Sequence, residues 1–332
     1  MQFVGIDVSA KSLVIHQQTP KGARRPFTVE NTHVGHQKLC RRLTQSGHPT
    51  RVALEATGLY SLDIALALAS QPQVELMVVN PRSLRDFARA DLRRSKTDAV
   101  DAQVLLVYCQ RMRFQPWQPP TPEALQLRAI SRRIAELTDL LTQEKNRLHA
   151  VGVTDCLGIV VRQDLEHHQQ HLEERIQILQ REAWRLIESQ SNLHQNAQLL
   201  LSTPGIARKS AIHLLAELSV LPQDMEARQW VAYAGLDPQS YDSGSSVHKP
   251  ARISRCGSSH LRRFLYMPAL VGVGRNSHIQ AFYNQLLARG KKPLQALVAV
   301  MRKLLHCLHG MLRHRTPFDG AKFRSLETPS AS

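Results

Sequence analysis

Short apolar runs alternate with longer amphipathic stretches over the first 80 residues of the chain. Five of the runs have the length of strands, and two of the stretches have the spacing of helices. The strands are expected at residues 3–8, 12–17, 25–29, 52–58 and 75–80, and the helices at residues 33–46 and 59–70. Three strands before the first helix indicate an antiparallel meander. The later alternation of strands and helices indicates a layered α/β domain with a mixed sheet.

Beyond residue 120 the apolar positions change to a seven-residue repeat. Two series recur at this spacing, and glycines at positions 152 and 158 separate them. The first series is Leu127, Ile134, Leu141 and Leu148, and the second is Leu165, Leu172, Leu179, Leu186 and Leu193. Such a repeat is typical of coiled-coil helices. Two arrangements satisfy it, a hairpin that packs on itself and a coiled coil that joins two copies, and a four-helix assembly combines both.

A proline-rich stretch at residues 116–122 marks the first predicted domain boundary. Residues 1–119 are expected to form the α/β domain, residues 120–198 the coiled-coil helices, and residues 199–332 a mainly helical domain. In the last of these, Pro204-Gly205-Ile206 predicts the turn of a helical hairpin. A basic amphipathic helix is expected over residues 293–314, with Pro293 in its first turn.

The net charge of +16 indicates a polyanionic partner, and nucleic acid is the most common one. Aromatic residues make up only 5% of the chain, so phosphate contacts rather than base stacking are expected to dominate binding. The five cysteines include no Cys-x-x-Cys pair, which argues against a zinc site or a disulfide framework. With neither a signal-peptide pattern nor an apolar run of about 18 residues, the sequence predicts a reducing, cytoplasmic compartment and no membrane span.

Two acids open a predicted helix that begins near Thr97, whose hydroxyl is expected to cap it. Asp98 and Asp101 are three residues apart and share one helix face, although acids in a first turn usually only compensate the helix dipole. Asp7 and Glu55 interrupt two apolar strands, where a carboxylate is costly unless it is paired, solvated at a strand end or bound to a metal. Four carboxylates brought to one point form a site for a hard divalent cation.

Basic residues cluster in three segments that are expected to contact a phosphate backbone. For the first segment a solvated helix face is the alternative, but proximity to a carboxylate site favours a backbone track. For the second segment, at the start of the helix after Pro204-Gly205-Ile206, the alternative is a purely structural turn. The segments contain Arg82, Arg85, Arg89, Arg93, Arg94 and Lys96, then Arg208 and Lys209, and finally Arg252, Arg255, Arg262 and Arg263.

A polar loop directly before the last basic cluster contains Ser243, Ser245 and Ser246. A serine in such a loop is usually a turn residue. A serine followed by several arginines is also suited to attack on a phosphodiester, because the arginines stabilise charge on the transferring phosphoryl group. No Gly-x-Ser-x-Gly motif is present, which argues against an α/β-hydrolase.

Taken jointly, these motifs carry a resemblance to a known family. The chain resembles insertion-sequence transposases that combine a RuvC-like acidic domain with a separate serine-bearing domain. These enzymes are related to the Piv/MooV DNA invertases and include the bridge-RNA-guided recombinases. The resemblance covers nearly the whole chain and rests on Gly5-Ile6-Asp7, Leu54-Glu55-Ala56-Thr57-Gly58, Asn80-Pro81, Lys96-Thr97-Asp98-Ala99-Val100-Asp101-Ala102, Pro204-Gly205-Ile206, Ala234-Gly235-Leu236-x-Pro238, Ser243-Gly244-Ser245-Ser246 and Ser254-Arg255-x-Gly257.

The resemblance implies an RNase H/RuvC-like fold for the first domain and Mg²⁺ or Mn²⁺ as the cofactor. The implied metal ligands are Asp7, Glu55, Asp98 and Asp101. Ser243 is the implied nucleophile that becomes joined to DNA, with Ser245 as the alternative. The implied partners are donor and target double-stranded DNA, a structured bridge RNA that pairs with both, and further copies of the chain as a dimer or tetramer. In the family the two domains meet across protomers to form a composite site.

Two other hypotheses compete with an RNA-guided recombinase. In the first, the acids form a metal-dependent RuvC-like nuclease and Ser243 is only a turn residue. In the second, the chain is a catalytically silent scaffold that binds nucleic acid. A covalent protein–DNA adduct separates the recombinase from the nuclease, and RNA binding without Mg²⁺-dependent chemistry indicates the scaffold.

Overall fold

The computed structural model describes residues 1–90, 97–153, 159–243 and 247–324. Its internal contacts divide the chain into two compact units, Met1–Pro119 and Pro120–Ser332. Within the described ranges, no helix is both long and apolar enough to span a membrane.

The first unit is built on a mixed sheet. Its strands are β1 (Gln2–Val8), β2 (Ser12–Thr19), β3 (Gly22–Ala23), β4 (Phe27–Glu30), β5 (Thr50–Glu55) and β6 (Val74–Val79). β1 pairs antiparallel with β2 and parallel with β5, and β6 runs parallel to β5. The strand order is β3-β2-β1-β5-β6, with β4 also paired to β2. The antiparallel meander and the mixed sheet predicted from the sequence are confirmed, and β1 lies at the centre.

Side-chain alternation along β1 separates the two faces of this sheet. The helices of the unit are α1 (His33–Thr44), α2 (Leu62–Ala69), α3 (Pro81–Ala90) and α4 (Asp98–Arg111). Val4, Ile6 and Val8 point into a core that they share with α1 and α2. The opposite face carries Gly5 and Asp7, and it is covered by α4. The second predicted helix is shorter than expected, because the chain turns after β5 and the helix starts only at the end of that turn.

The second unit is mainly helical. Its helices are α5 (Pro122–Val151), α6 (Ile159–Ser189), α7 (Ser191–Leu201), α8 (Arg208–Leu218), α9 (Ala227–Tyr233), α10 (Ser259–Arg275), α11 (Ser277–Ala288), α12 (Pro293–His314) and α13 (Gly320–Arg324). They share one hydrophobic core, in which α12 is buried along most of its length. The bounds of α12 agree with the helix predicted at residues 293–314.

The long helices α5 and α6 pack against each other, which agrees with the hairpin interpretation of the seven-residue repeats. A coiled coil between two copies of the chain stays a prediction. The second repeat does not form one helix, however. α6 ends at Ser189, and Leu193 lies in α7. The helix is interrupted at Gln190, whose backbone is extended with φ −116° and ψ 111°.

Two strands of a hairpin flank the polar segment that the sequence predicts as a loop before the last basic cluster, and residues 244–246 of that segment lie outside the described ranges. The strands are β7 (Pro238–Ser243) and β8 (Val247–Ile253), which pair antiparallel from Pro238 opposite Ile253 to Ser243 opposite Val247. The register shifts between Gln239 and Tyr241. Backbone hydrogen bonds form this ladder, and they leave little trace in the hydrophobic pattern on which the prediction of a loop was based.

Candidate active site

Asp7 and Glu55 occupy neighbouring positions at the ends of two parallel strands. The last pair in the β1–β5 ladder joins Ile6 to Leu54, and each acid follows its member of this pair by one position. Adjacent strands are about 4.8 Å apart, and residues in register point to the same face. The two acids therefore stand side by side on the face that α4 covers.

Gly5 allows α4 to approach this face closely. A Cβ atom at Gly5 would lie 2.1 Å from the carbonyl oxygen of Ala102 and 2.3 Å from the amide nitrogen of Leu106. Only glycine fits a strand position that a helix backbone approaches so closely. Because Gly5 and Asp7 are two residues apart on the same face, the close packing brings the first turn of α4 toward Asp7.

The first turn of α4 presents the other two acids. The Thr97 hydroxyl caps the helix and accepts a hydrogen bond from the Val100 amide at 3.3 Å, as the sequence predicts. Asp98 and Asp101 both lie in this turn. They point to the same side because residues three apart share a helix face.

The pKa of Asp7 shows that the acids act on one another. Burial, and then the negative charges of Asp98, Asp101 and Glu55, raise the pKa of Asp7 from 3.8 to about 6. A hydrogen bond from the backbone of Val8 partly offsets these effects. The structure thus brings the four acids predicted from the sequence within electrostatic reach of one point.

The donor set suits a hard divalent cation, because it consists of carboxylate oxygens. The raised pKa of Asp7 fits the same interpretation, since a bound cation would remove the repulsion among the acids. Within the described ranges, however, no three His, Cys, Asp or Glu side chains are close enough to chelate an ion as they stand. This spacing is compatible with Mg²⁺, which usually keeps several waters and takes only one or two carboxylates together with substrate phosphate.

Ser243 is the last residue of β7, at the end of the hairpin farthest from the helical core. Ser245 and Ser246 lie outside the described residues. The base of the hairpin is firmly held, because the Ser254 amide donates to the Asp237 carbonyl oxygen at 2.9 Å. The Ser254 hydroxyl also donates a hydrogen bond to the Asp237 carboxylate. The hairpin therefore carries Ser243 on a short arm with a fixed base.

The basic residues predicted on the first unit lie partly outside the described ranges. Arg82, Arg85 and Arg89 are exposed on α3, and Arg82 lies 3.9 Å from the carboxylate of Asp86. Arg93, Arg94 and Lys96 lie outside the described residues. The exposed arginines of α3 have the accessibility that a phosphate contact requires.

The basic residues of the second unit differ in how they are used. Arg208, Lys209, Arg252 and Arg255 are exposed, and the Arg208 guanidinium lies 4.8 Å from the ring centre of Trp184. Arg262 donates a hydrogen bond to the Ala234 carbonyl oxygen at 2.7 Å. Arg263 makes two hydrogen bonds to the Asp139 carboxylate, at 2.5 and 2.7 Å. The last two arginines therefore hold α10 in place within the unit.

The predicted turn at Pro204-Gly205-Ile206 connects α7 to α8. Gly205 has φ +94°, and a Cβ atom there would lie 2.3 Å from the carbonyl oxygen of Pro268 in α10. The turn is thus packed against α10, which gives its glycine a structural role. A DNA contact at the start of α8 stays a prediction that rests on Arg208 and Lys209.

The sequence pattern did not reveal a buried cluster around Glu217. This side chain is fully buried, and it accepts two hydrogen bonds from Arg132 at 2.9 and 3.2 Å. The Ser258 hydroxyl donates to the same carboxylate at 3.1 Å and caps α10. Glu217 lies within the largely apolar segment 211–218, and this position could have predicted a buried ion pair, because a charge is rarely buried without a partner.

Two family models match the chain, and both describe transposases. A transposase model designated DEDD_Tnp_IS110 matches residues 4–151, which include the four acids. The model of the transposase IS116/IS110/IS902 family matches residues 197–284, which include the hairpin with Ser243. The protein is therefore of the transposase class.

Similar proteins cover almost the full length of the chain. The pilin gene-inverting protein of Moraxella bovis is 32% identical over 321 residues, which are 96% of this chain and 97% of the relative. The transposase for insertion sequence element IS1328 of Yersinia enterocolitica is 25% identical over 304 residues, 82% of this chain and 84% of the relative. The chain belongs to the IS116/IS110/IS902 family of insertion-sequence transposases, and the pilin gene-inverting protein is one of its relatives.

Proposed function

We propose that this protein is a DNA recombinase of an insertion sequence, in which Ser243 attacks a DNA phosphodiester and four acids hold Mg²⁺ or Mn²⁺. The acids are Asp7, Glu55, Asp98 and Asp101. The observation that carries the proposal is the convergence of the four acids, from two neighbouring strand ends and the first turn of the helix packed on them. Mutually repelling acids around a half-buried carboxylate destabilise a protein without metal, so a role in binding a cation is a better explanation than packing.

In the proposed reaction the Ser243 hydroxyl oxygen forms a bond to phosphorus and loses its proton to a base. The bond from phosphorus to the leaving sugar oxygen breaks, and that oxygen takes a proton. The DNA strand is then joined to the protein, and attack by the hydroxyl of another strand reverses the step and reseals the backbone. When bound, the divalent ion supplies positive charge that stabilises the phosphorane and activates the serine or the leaving oxygen.

The proposed partners are donor and target double-stranded DNA and a structured bridge RNA. The net charge of +16 supports a polyanionic partner, and the exposed arginines of α3 offer backbone contacts. In this proposal base pairing by the RNA reads the sequence, and the protein reads shape and backbone. The inverting activity in the name of the Moraxella bovis relative agrees with a reaction that cuts and rejoins strands.

The decisive test is a denaturant-resistant protein–DNA adduct. The reaction contains purified full-length protein, Mg²⁺, the noncoding RNA that flanks the gene, and matched donor and target DNA. We expect an adduct in the wild-type protein and none in Ser243→Ala. Ser245→Ala and Ser246→Ala are the matched controls, because they remove a hydroxyl from the same segment, and both should retain the adduct.

Other outcomes would support the competing hypotheses. Mg²⁺-dependent cleavage without an adduct, unchanged in Ser243→Ala, would establish the nuclease. RNA binding without cleavage or adduct at any Mg²⁺ concentration would establish the silent scaffold. An adduct that forms equally well without RNA would support attack by Ser243 and reject guidance by the RNA.

A further inference from the structure

A cavity of about 740 Å³ lies at the base of the β7–β8 hairpin, within the second unit. Its walls come mainly from α8, α10 and the residues that flank the hairpin. The volume falls within the range of sites that hold small organic molecules. Four cationic side chains line it, and no Asp or Glu among the described residues does so. The lining cations are Lys209, Arg255, Arg262 and Arg263.

Two of these cations are available for a ligand. Arg262 and Arg263 already bind the Ala234 carbonyl oxygen and the Asp139 carboxylate. Within the part of the chain that the structure describes, the side chains of Lys209 and Arg255 have no ion pair or hydrogen bond. Two exposed and uncompensated cations at one cavity suit an anionic group.

The backbone of Arg255 is held in an unusual conformation. Its φ of +53° lies in the left-handed region, which is unfavourable for a residue other than glycine. The surrounding structure enforces it, because the Arg255 amide donates to the Gly235 carbonyl oxygen at 3.1 Å. Gly257 follows with φ +116°, packed directly against the carbonyl oxygen of Tyr233. Strain of this kind is typical of residues that orient a functional side chain.

Apart from the hydroxyl groups of Thr138, Ser210 and Ser259, the rest of the cavity wall is apolar and aromatic. The rings of His213 and Phe264 are stacked with centroids 4.2 Å apart and an angle of 12° between their planes. His213 is fixed by a hydrogen bond of 2.8 Å between its Nδ1 and the Ser131 hydroxyl. Burial lowers the pKa of His213 to about 4, so the ring pair is uncharged at neutral pH. At the rim, Tyr266 and Met267 are 40% and 54% exposed.

We propose that this cavity holds one unpaired nucleotide, with its phosphate between Lys209 and Arg255 and its base against the aromatic wall. A nucleotide combines an anionic group and a flat apolar ring in one ligand, as the cavity requires. The inference rests on the proposed function, because the DNA or RNA of that reaction would provide the nucleotide.

The position of the cavity relative to Ser243 predicts which nucleotide it takes. Ile253 lines the cavity and pairs with Pro238, which is five residues from Ser243 along β7. Five residues of strand span about 17 Å. In a duplex this is about five base-pair steps. The unpaired nucleotide is therefore expected within about five positions of the phosphodiester that is cut.

The test measures binding in a Ser243→Ala background without Mg²⁺, so that no chemistry contributes. The probes are a DNA duplex with one bulged 2-aminopurine, the same duplex fully paired, and an RNA version of each. We expect the bulged duplex to bind about tenfold more tightly than the paired one, with quenched 2-aminopurine fluorescence. Comparison of the DNA and RNA probes identifies the source of the nucleotide.

Variants separate the two halves of the site. Lys209→Gln and Arg255→Gln should each remove most of the preference and lower the salt dependence of binding by about one ion. Arg255→Gly keeps the left-handed backbone and should behave like Arg255→Gln. Tyr266→Ala, at an exposed position, should abolish the fluorescence quenching. Arg185→Gln is the matched control for the lost charge, because Arg185 is an exposed residue of α6 that pairs with Glu182.

The outcomes distinguish this inference from the proposed function. Equal binding of bulged and paired duplexes, with the Ser243 adduct intact in the wild-type protein, would overturn the nucleotide site alone. A preference for the bulge without any adduct would support the site and reject the serine chemistry. A preference that Lys209→Gln and Arg255→Gln leave unchanged would place the unpaired nucleotide elsewhere and overturn the inference.

Discussion

At the scale of single residues, Asp7 shows how the site costs stability. It interrupts an otherwise apolar central strand, and it is partly buried beside three other acids. Its pKa of about 6 means that ionisation at neutral pH occurs against both burial and repulsion. A residue chosen for packing alone would not carry this cost.

Asp7→Asn is expected to stabilise the metal-free protein at pH 7.5. The folded-state pKa of Asp7 is about 6 and the ordinary value is 3.8, so the folded protein binds more protons between these values and loses stability as the pH rises through them. Removing the charge should therefore raise the free energy of unfolding by up to about 3 kcal/mol at pH 7.5 and by almost nothing at pH 4. Denaturant unfolding at the two pH values measures this. An equal effect at both values would show that packing, not charge, is responsible.

Mg²⁺ is expected to raise the Tm of the wild-type protein at pH 7.5, because a ligand of the folded state stabilises it by mass action. Asp7→Asn should remove most of this shift. Calorimetry over a series of Mg²⁺ concentrations measures the effect, and K⁺ at matched ionic strength is the control. A shift of the same size in both proteins would place the ion elsewhere.

His213 is expected to make the second unit sensitive to acid. Burial, and then the positive charge of Arg263, lowers the pKa of His213 from 6.5 to about 4, while Glu217 opposes the effect. The unfolded chain binds the proton more readily, so stability that is present above pH 6.5 is lost as the pH falls toward 4. Between pH 7.5 and 4.5 the free energy of unfolding of the wild-type protein should fall by about 2–3 kcal/mol more than that of His213→Gln. This difference is the stability equivalent of the lowered pKa. Parallel unfolding curves at pH 7.5 and 4.5 measure the difference; a constant difference would contradict the assignment.

At the scale of elements, the packing of α4 on β1 assembles the acids. The contact depends on the missing side chain of Gly5, which lets the helix backbone approach the strand. Thr97 then fixes where the helix begins and hence where Asp98 and Asp101 point. The site is therefore a property of a helix–strand pair as much as of four carboxylates.

Gly5→Ala should push α4 away from β1 and weaken the site with no change of charge. A Cβ atom 2.1 Å from the Ala102 carbonyl oxygen requires a backbone shift, which we expect to cost about 3 kcal/mol. The Mg²⁺-dependent rise in Tm should be lost with it. Gly310→Ala in α12 is the matched control, because nothing lies within 4 Å of a Cβ atom there, and it should be neutral or slightly stabilising. Equal stability of the two variants would show that α4 adjusts freely.

At the scale of the whole molecule, the sequence predicted the parts whose side chains follow a regular pattern. The central strands, α12 and the cap at Thr97 all have such a pattern, and Gly5 inside a strand was a readable sign of close approach. The β7–β8 hairpin lacked one, since its ladder is made of backbone hydrogen bonds. The cavity was out of reach for another reason: its cations and rings come from α8, α10 and the segment between them, and only folding brings these together.

The two units divide the proposed chemistry, since the acids lie in the first unit and Ser243 in the second. If each active site takes its acids from one protomer and its serine from the partner, Asp7→Asn and Ser243→Ala should complement each other. In a mixed dimer one site receives both substitutions and the other receives neither. Because random mixing makes half of the dimers mixed and half of their sites intact, the adduct yield should return to about one quarter of the wild-type value.

The measurement is adduct formation after the two variants are unfolded together, refolded and supplied with RNA, DNA and Mg²⁺. Each variant refolded alone is the control and should give no adduct. A site built within one protomer predicts none in the mixture either, because every site would then carry one of the two substitutions. The acids and the serine lie in different units of the chain. The mixture therefore tests whether a second copy of the chain supplies the serine that completes each site.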